Sequence, residues 1–150
     1  MDRASQPART GLTDRLAPDI ARINFYRFCQ LLEQSQQKAP LGSTDNPAAD
    51  AVRFRPHPGM GFPVSELKNV ERDVDNPDAP PTVRTTFLGL YGVDSPLPTA
   101  YLDYITQRHD GHDAVMAFLD IFNHRFIAQY YRIRRTQTCL LYTSPSPRDR

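Results

Sequence analysis

Residues 107–115, QRHDGHDAV, set two His-Asp pairs within five positions. Imidazole nitrogens and carboxylate oxygens are the ligands that zinc, iron and manganese take. His109, Asp110, His112 and Asp113 are therefore a candidate metal centre, and the matching chemistry is that of a small metal-dependent hydrolase. Such a centre needs three or four converging ligands and outer groups that hold the imidazoles. The remaining histidines are His57, in a proline-rich loop, and His124, on a predicted helix. On a continuous helix His124 stands roughly 18 Å beyond His112 along the axis, too far to share an ion. A His-Asp hydrolase also needs a further upstream histidine and a distant aspartate on helices, and no such pair is evident. The position of the motif favours a different role. Asp110 is placed as the N-cap of the following helix and Asp113 as its third residue, so the two carboxylates predict a reciprocal helix cap at the positive end of the helix dipole.

Other chemistry is thinner. The GMG at 59–61 lacks the helix and lysine of a phosphate loop, and no Gly-x-Ser-x-Gly elbow occurs. Cys29 falls on an apolar helical face, where a buried thiol is inert. These observations predict no catalytic residues, no cofactor and no enzymatic activity.

The elements that would position these residues follow from periodicity. Residues 1–16 are polar and aperiodic, a flexible lead-in. Pro18 opens a helical pattern to residue 37, with Ile20, Phe28, Leu31 and Leu32 on one face and Phe25 at its edge. Residues 38–50 form a loop. AVRFRP alternates Val52 and Phe54 with Arg53 and Arg55, a short half-buried strand ending at Pro56. SELKNVERDV fits a strand or a short helix. PTVRTTFLGLYG is near-continuously apolar, as in a strand covered on both faces. LPTAYLDYITQR is a second helix. From Asp113 to about Arg134, Val115, Phe118, Leu119, Phe122, Phe126, Tyr130 and Ile133 recur at steps of three and four, the clearest helix of the chain. The predicted class is α+β, with few short strands and three main helices. The aromatic face of the last helix reads most simply as core. Phe122, Phe126, Tyr130 and Tyr131 are also the residue types of a protein interface, with Arg53 and Arg55 as its polar rim.

The chain has 150 residues, 39% hydrophobic and 23% charged, with 14 prolines and 7 glycines. No apolar run reaches the length of a membrane span, and the N-terminus lacks the apolar core of a signal peptide, so direct membrane insertion is not expected and a cytoplasmic location is. After residue 137 the character changes: CLLYTSPSPRD, residues 139–149, resembles the translation of a sequencing-library adapter, which marks 138–150 as a tail of foreign origin. That segment carries Arg148, Arg150 and Asp149, and setting it aside takes the 18 basic and 17 acidic side chains to 16 of each. Zero net charge gives no support to a nucleic-acid partner. Cys29 is then the sole cysteine, consistent with a reducing compartment.

Taken in order, INFYRFCQLLEQ, PLGSTDNPAADAVRFRP, GFPVSEL, PPTVRTTFLGLYGVDSPLPTAYLDYI and RHDGHDAVMAFLDIFNHRFIAQYYR resemble the TssG family, also called ImpH or VasB, of the bacterial type VI secretion system. The resemblance spans about residues 18–135. It implies a structural baseplate subunit of a contractile injection apparatus, with the natural portion, 17–137, forming an incomplete N-terminal region. It further implies that two copies of TssF are joined in a wedge beside other baseplate subunits, at the cytoplasmic face of the inner membrane. TssK would be recruited mainly through the later half, since members are about twice as long as this portion.

Overall fold

The computed structural model describes residues 11–36 and 39–143. Among these residues four α-helices and three short strands follow one another: α1 (Leu12–Leu16), α2 (Phe25–Ser35), β1 (Arg53–Pro56), β2 (Leu67–Glu71), β3 (Thr82–Thr85), α3 (Thr99–Thr106) and α4 (His112–Thr143). The class is α+β, as the patterning predicts.

The N-terminal part departs from the sequence expectation in two places. Part of the expected lead-in is ordered as α1, because Thr13 is buried and Leu12 and Leu16 pack against the core. Residues 1–10 of that lead-in lie outside the described residues. The helix expected from Pro18 is split: Ala17–Arg22 form a 3-10 turn, Ile23 and Asn24 are extended, and α2 begins at Phe25. Asn24 enforces this break, since its side-chain oxygen accepts the Arg27 amide at 2.8 Å. The Phe25 amide, another free donor of the first turn, is met by the Glu66 carboxylate at 2.8 Å from beyond β1.

The sheet order is β1-β3-β2, with β1 parallel and β2 antiparallel to the central β3. Phe54 pairs with Val83 and Pro56 with Thr85, which places the buried residues of both strands on one side. The alternation in AVRFRP is thus real, and SELKNVERDV resolves to a strand. PTVRTTFLGLYG does not form one long strand covered on both faces. It ends at Thr85, because Leu88 at φ 51° and Gly92 at φ 95° turn the chain back against β1. A Cβ on Gly92 would lie 2.6 Å from the His57 carbonyl oxygen, so the close approach there excludes any side chain.

α3 fits the expected second helix. α4 begins at His112 and continues to Thr143 instead of ending near Arg134. Nothing between those residues breaks a helix; Pro145 is the next proline. Residues 144–150, most of the expected foreign tail, lie outside the described residues.

Two apolar clusters lie along α4. The larger joins Phe25, Phe28, Cys29 and Leu32 of α2, Val52, Phe54, Leu67 and Val83 of the sheet region, and Ile127 and Tyr131 of α4. Phe25 is its hub, with ring centroids 5.4 Å from Phe54 and 5.1 Å from Phe87 in edge-on geometry. The smaller packs Leu102 and Ile105 of α3 with Tyr91, against Val115, Met116 and Leu119. The loop before β1 is pressed onto α4 at Gly42 (φ 76°), where a Cβ would sit 2.9 Å from the Ala128 carbonyl oxygen.

A candidate interaction surface on the longest helix

The His-Asp motif occupies the exposed turn between α3 and α4. His109 stacks on Tyr104 with centroids 5.5 Å apart, and its Nε2 lies 3.0 Å from Gln107 Oε1. His112 has Nδ1 3.0 Å from the His109 carbonyl oxygen and Nε2 3.1 Å from Asp113 Oδ1. The Tyr104 hydroxyl donates to the Asp110 carbonyl. Each imidazole is thus engaged locally. Among the described residues, no three His, Cys, Asp or Glu side chains come together as ligands for an ion.

The helix start also differs in register from the expected reciprocal cap. α4 begins at His112, which makes Gly111 (φ 84°) and not Asp110 the residue before it. The Gly111 carbonyl accepts the amides of Ala114 and Val115. Among the described hydrogen bonds, neither the Asp110 nor the Asp113 carboxylate accepts a backbone amide.

The chemistry that patterning did not single out lies on the inner face of α4. Asp120, Asn123 and His124 are all buried there. His124 Nε2 lies 2.8 Å from Asp50 Oδ2, and its Nδ1 accepts the Phe54 amide at 3.0 Å. Since Nδ1 is the acceptor, the ring proton sits on Nε2 and is donated to the carboxylate. The helix thereby satisfies the outer edge of β1 with a side chain. One turn back, Asp120 Oδ1 accepts the Tyr91 hydroxyl at 2.6 Å and the Asn123 amide at 3.1 Å, while Asn123 Oδ1 accepts the Leu90 amide at 2.9 Å. Burial, reinforced by the bond to Asp120, pushes the Tyr91 phenol well above its ordinary pKa. Arg55 Nε approaches Asp120 Oδ2 to 3.4 Å.

Near the end of the described contacts, the Tyr131 hydroxyl donates to Glu33 Oε2 at 2.9 Å and Arg135 pairs with Glu33 Oε1 at 3.1 Å. Burial, then the bond to Glu33, raises the Tyr131 pKa strongly. Burial likewise drives the Cys29 thiol well up, which keeps it protonated and unreactive. Tyr131 is 1% exposed, so it belongs to the core and not to the surface where it was expected. Tyr130 packs on the core from the edge. Of the two expected rim arginines, Arg55 is drawn to Asp120 on α4 and Arg53 is half-buried in β1.

The aromatic row of α4 is turned outward. Phe118 is 59% exposed, Phe122 42% and Phe126 48%, joined by Ile121 and Ile133. Phe118 and Phe122 meet edge-on at 5.6 Å, and Phe122 stacks on Phe126 at 6.5 Å, so the row is continuous. The helix therefore buries a mixed polar face and exposes much of its apolar one. A polar inner face was detectable as Asp120, Asn123, His124, Ile127 and Tyr131 at steps of three and four, but apolar periodicity alone assigns the inside to the aromatic row. Contiguous exposed apolar side chains of this kind are uncommon on an isolated monomer.

A family model described as "Type VI secretion, TssG" matches residues 19–150. No curated protein and no solved structure gives a significant match. No described helix is long and apolar enough to cross a membrane. With 132 of its 150 residues matched, the chain belongs to the TssG family and is a component of the type VI secretion baseplate.

Proposed function

We propose that the chain is a structural, non-enzymatic wedge subunit that joins two copies of TssF, and that the full-length protein recruits TssK through its later half. In this role it stands at the cytoplasmic face of the bacterial inner membrane when the apparatus is assembled. Family membership supports the assembly, and the observation that carries the binding role is the outward row of Phe118, Phe122 and Phe126 on the longest helix. A chain whose purpose was catalysis has no reason to hold three contiguous aromatic rings in water. A subunit built to be covered does, because permanent interfaces resemble a core cut in half.

Co-expression of the full-length gene with TssF, followed by purification on a tag carried by the TssG-family chain, tests the reading. A stable complex containing TssF is expected, and an eluate without TssF would remove it.

A further inference from the structure

We infer that the outer face of α4 docks a partner's amphipathic helix whose apolar stripe covers Phe118, Phe122 and Phe126 and whose edge carries a carboxylate opposite Arg132. This rests on the wedge role proposed above and names the surface that serves it. Three features identify the occupant.

The first is spacing. Phe118, Phe122, Phe126 and Ile133 follow one another at four, four and seven residues, so the stripe extends roughly 22 Å along the axis and slants around it by about 60°. A stripe of that length and gradual slant suits a long helix crossing at a shallow angle and not a loop tip or a single inserted side chain.

The second is area. With a covered aromatic side chain worth about 150–250 Å², the exposed parts of Phe118, Ile121, Phe122, Phe126 and Ile133 amount to roughly 500 Å². A stable interface takes about 800 Å² from each partner. The stripe is its apolar centre, and the neighbouring arginines complete it.

The third is charge. Between residues 121 and 138 the helix carries Arg125, Arg132, Arg134 and Arg135 and no acidic residue. Arg135 is paired with Glu33, and Arg125 leans on the Thr44 carbonyl and, at 3.5 Å, on Asp45. Arg134 lies over the rings of Tyr26 and Tyr130 at 5.4 and 5.9 Å, and Arg132 reaches only the Gly42 carbonyl at 3.5 Å. Arg134 is thereby held on the α2 side of the helix, and among the described residues Arg132, at the edge of the stripe, has no carboxylate partner. A second copy of this chain does not supply one: parallel pairing sets arginines against arginines, and antiparallel pairing about the middle of the stripe opposes Arg125 to itself.

The test uses the full-length chain co-expressed with TssF, carrying F118E with F122E, R132E, or, as a control on an exposed loop, F62E. The stripe pair should lower TssF retention at least about tenfold and R132E about fivefold, with less further loss on adding salt than the wild type shows, while F62E matches wild type. All variants should keep the wild-type thermal midpoint, since the replaced side chains are exposed. Hydrogen exchange across 118–134 should slow in the wild-type complex alone. Retention by the stripe pair within about twofold of wild type overturns the docking surface and leaves the wedge role standing. Failure of the wild type to hold TssF removes the wedge role and the inference with it. A dimer of the chain alone that is lost in the stripe pair makes a second copy the occupant, which also overturns the proposal.

Discussion

His124 and Asp50 meet at 2.8 Å across 74 positions of sequence, both buried, with the Phe54 amide closing the other side of the imidazole at 3.0 Å. This contact fixes how α4 sits on β1. It sets the helix rotation as firmly as the apolar contacts do, because a rotated helix would leave a buried carboxylate, imidazole and amide unpaired at once.

Removing one partner therefore costs more than the net worth of the contact. His124→Ala should lower unfolding free energy by about 3 kcal/mol, since it strands a buried carboxylate and a strand amide. Asp50→Ala should cost a similar amount. The double variant should lose clearly less than the two together, because the second removal has no partner left to strand. Urea unfolding of the three variants checks this, and simple additivity would contradict the coupling.

Which face of α4 is inside is directly measurable. Ile127→Ala removes a side chain with no exposure and should cost about 2–5 kcal/mol, whereas Phe122→Ala, 42% exposed, should change stability by no more than about 0.5 kcal/mol in the free chain. The reverse ranking in denaturant midpoints would place the aromatic row in the core.

That pair of outcomes also shows what the sequence could and could not disclose. The alternation around Phe54, the α3 helix and the existence of α4 were legible because each depends on spacing within one segment. The orientation of α4 was not, since Asp120, Asn123 and His124 are acceptable inside only through Tyr91, Leu90, Asp50 and Phe54, partners 29 to 74 positions away. An apolar stripe is likewise identical in sequence whether its own core or another protein covers it. The HDGHD motif stood out by composition, yet its side chains bond to their immediate neighbours, while the buried polar contacts come from residues scattered singly along the chain.

Two buried phenols predict an alkaline limit to stability. Tyr91 and Tyr131 both have folded-state pKa values raised above the ordinary 10.0, chiefly by burial and then by their carboxylate partners. A raised acid pKa means the unfolded chain releases its protons first, so the contribution of these groups is complete below about pH 10 and falls as pH rises further. Urea midpoints should be insensitive to these groups from pH 7 to 9 and decline above 10. Tyr131→Phe should flatten part of that decline while costing about 1 kcal/mol at neutral pH, through the unpaired Glu33 oxygen. An unchanged alkaline slope in both Tyr91→Phe and Tyr131→Phe would show that neither phenol is held as described.

The start of α2 gives a last, separable case. Its first turn is closed twice, by Asn24 accepting the Arg27 amide and by Glu66 accepting the Phe25 amide, each at 2.8 Å. The first cap is local, three residues from its donor. The second comes from 41 positions away and ties the start of α2 to the residue just before β2. Asn24→Ala should cost about 1 kcal/mol, as ordinary caps do, and Asn24→Ser should restore most of it. Glu66→Ala should cost a similar amount, but through a tertiary bond, so its effect should appear as faster hydrogen exchange in both the first turn of α2 and the neighbouring β2 amides. Asn24→Ala should loosen the α2 turn and leave β2 protected. Equal exchange changes in both segments for the two variants would mean that the helix start and the strand open as one unit, and the separate roles assigned to the two caps would be lost.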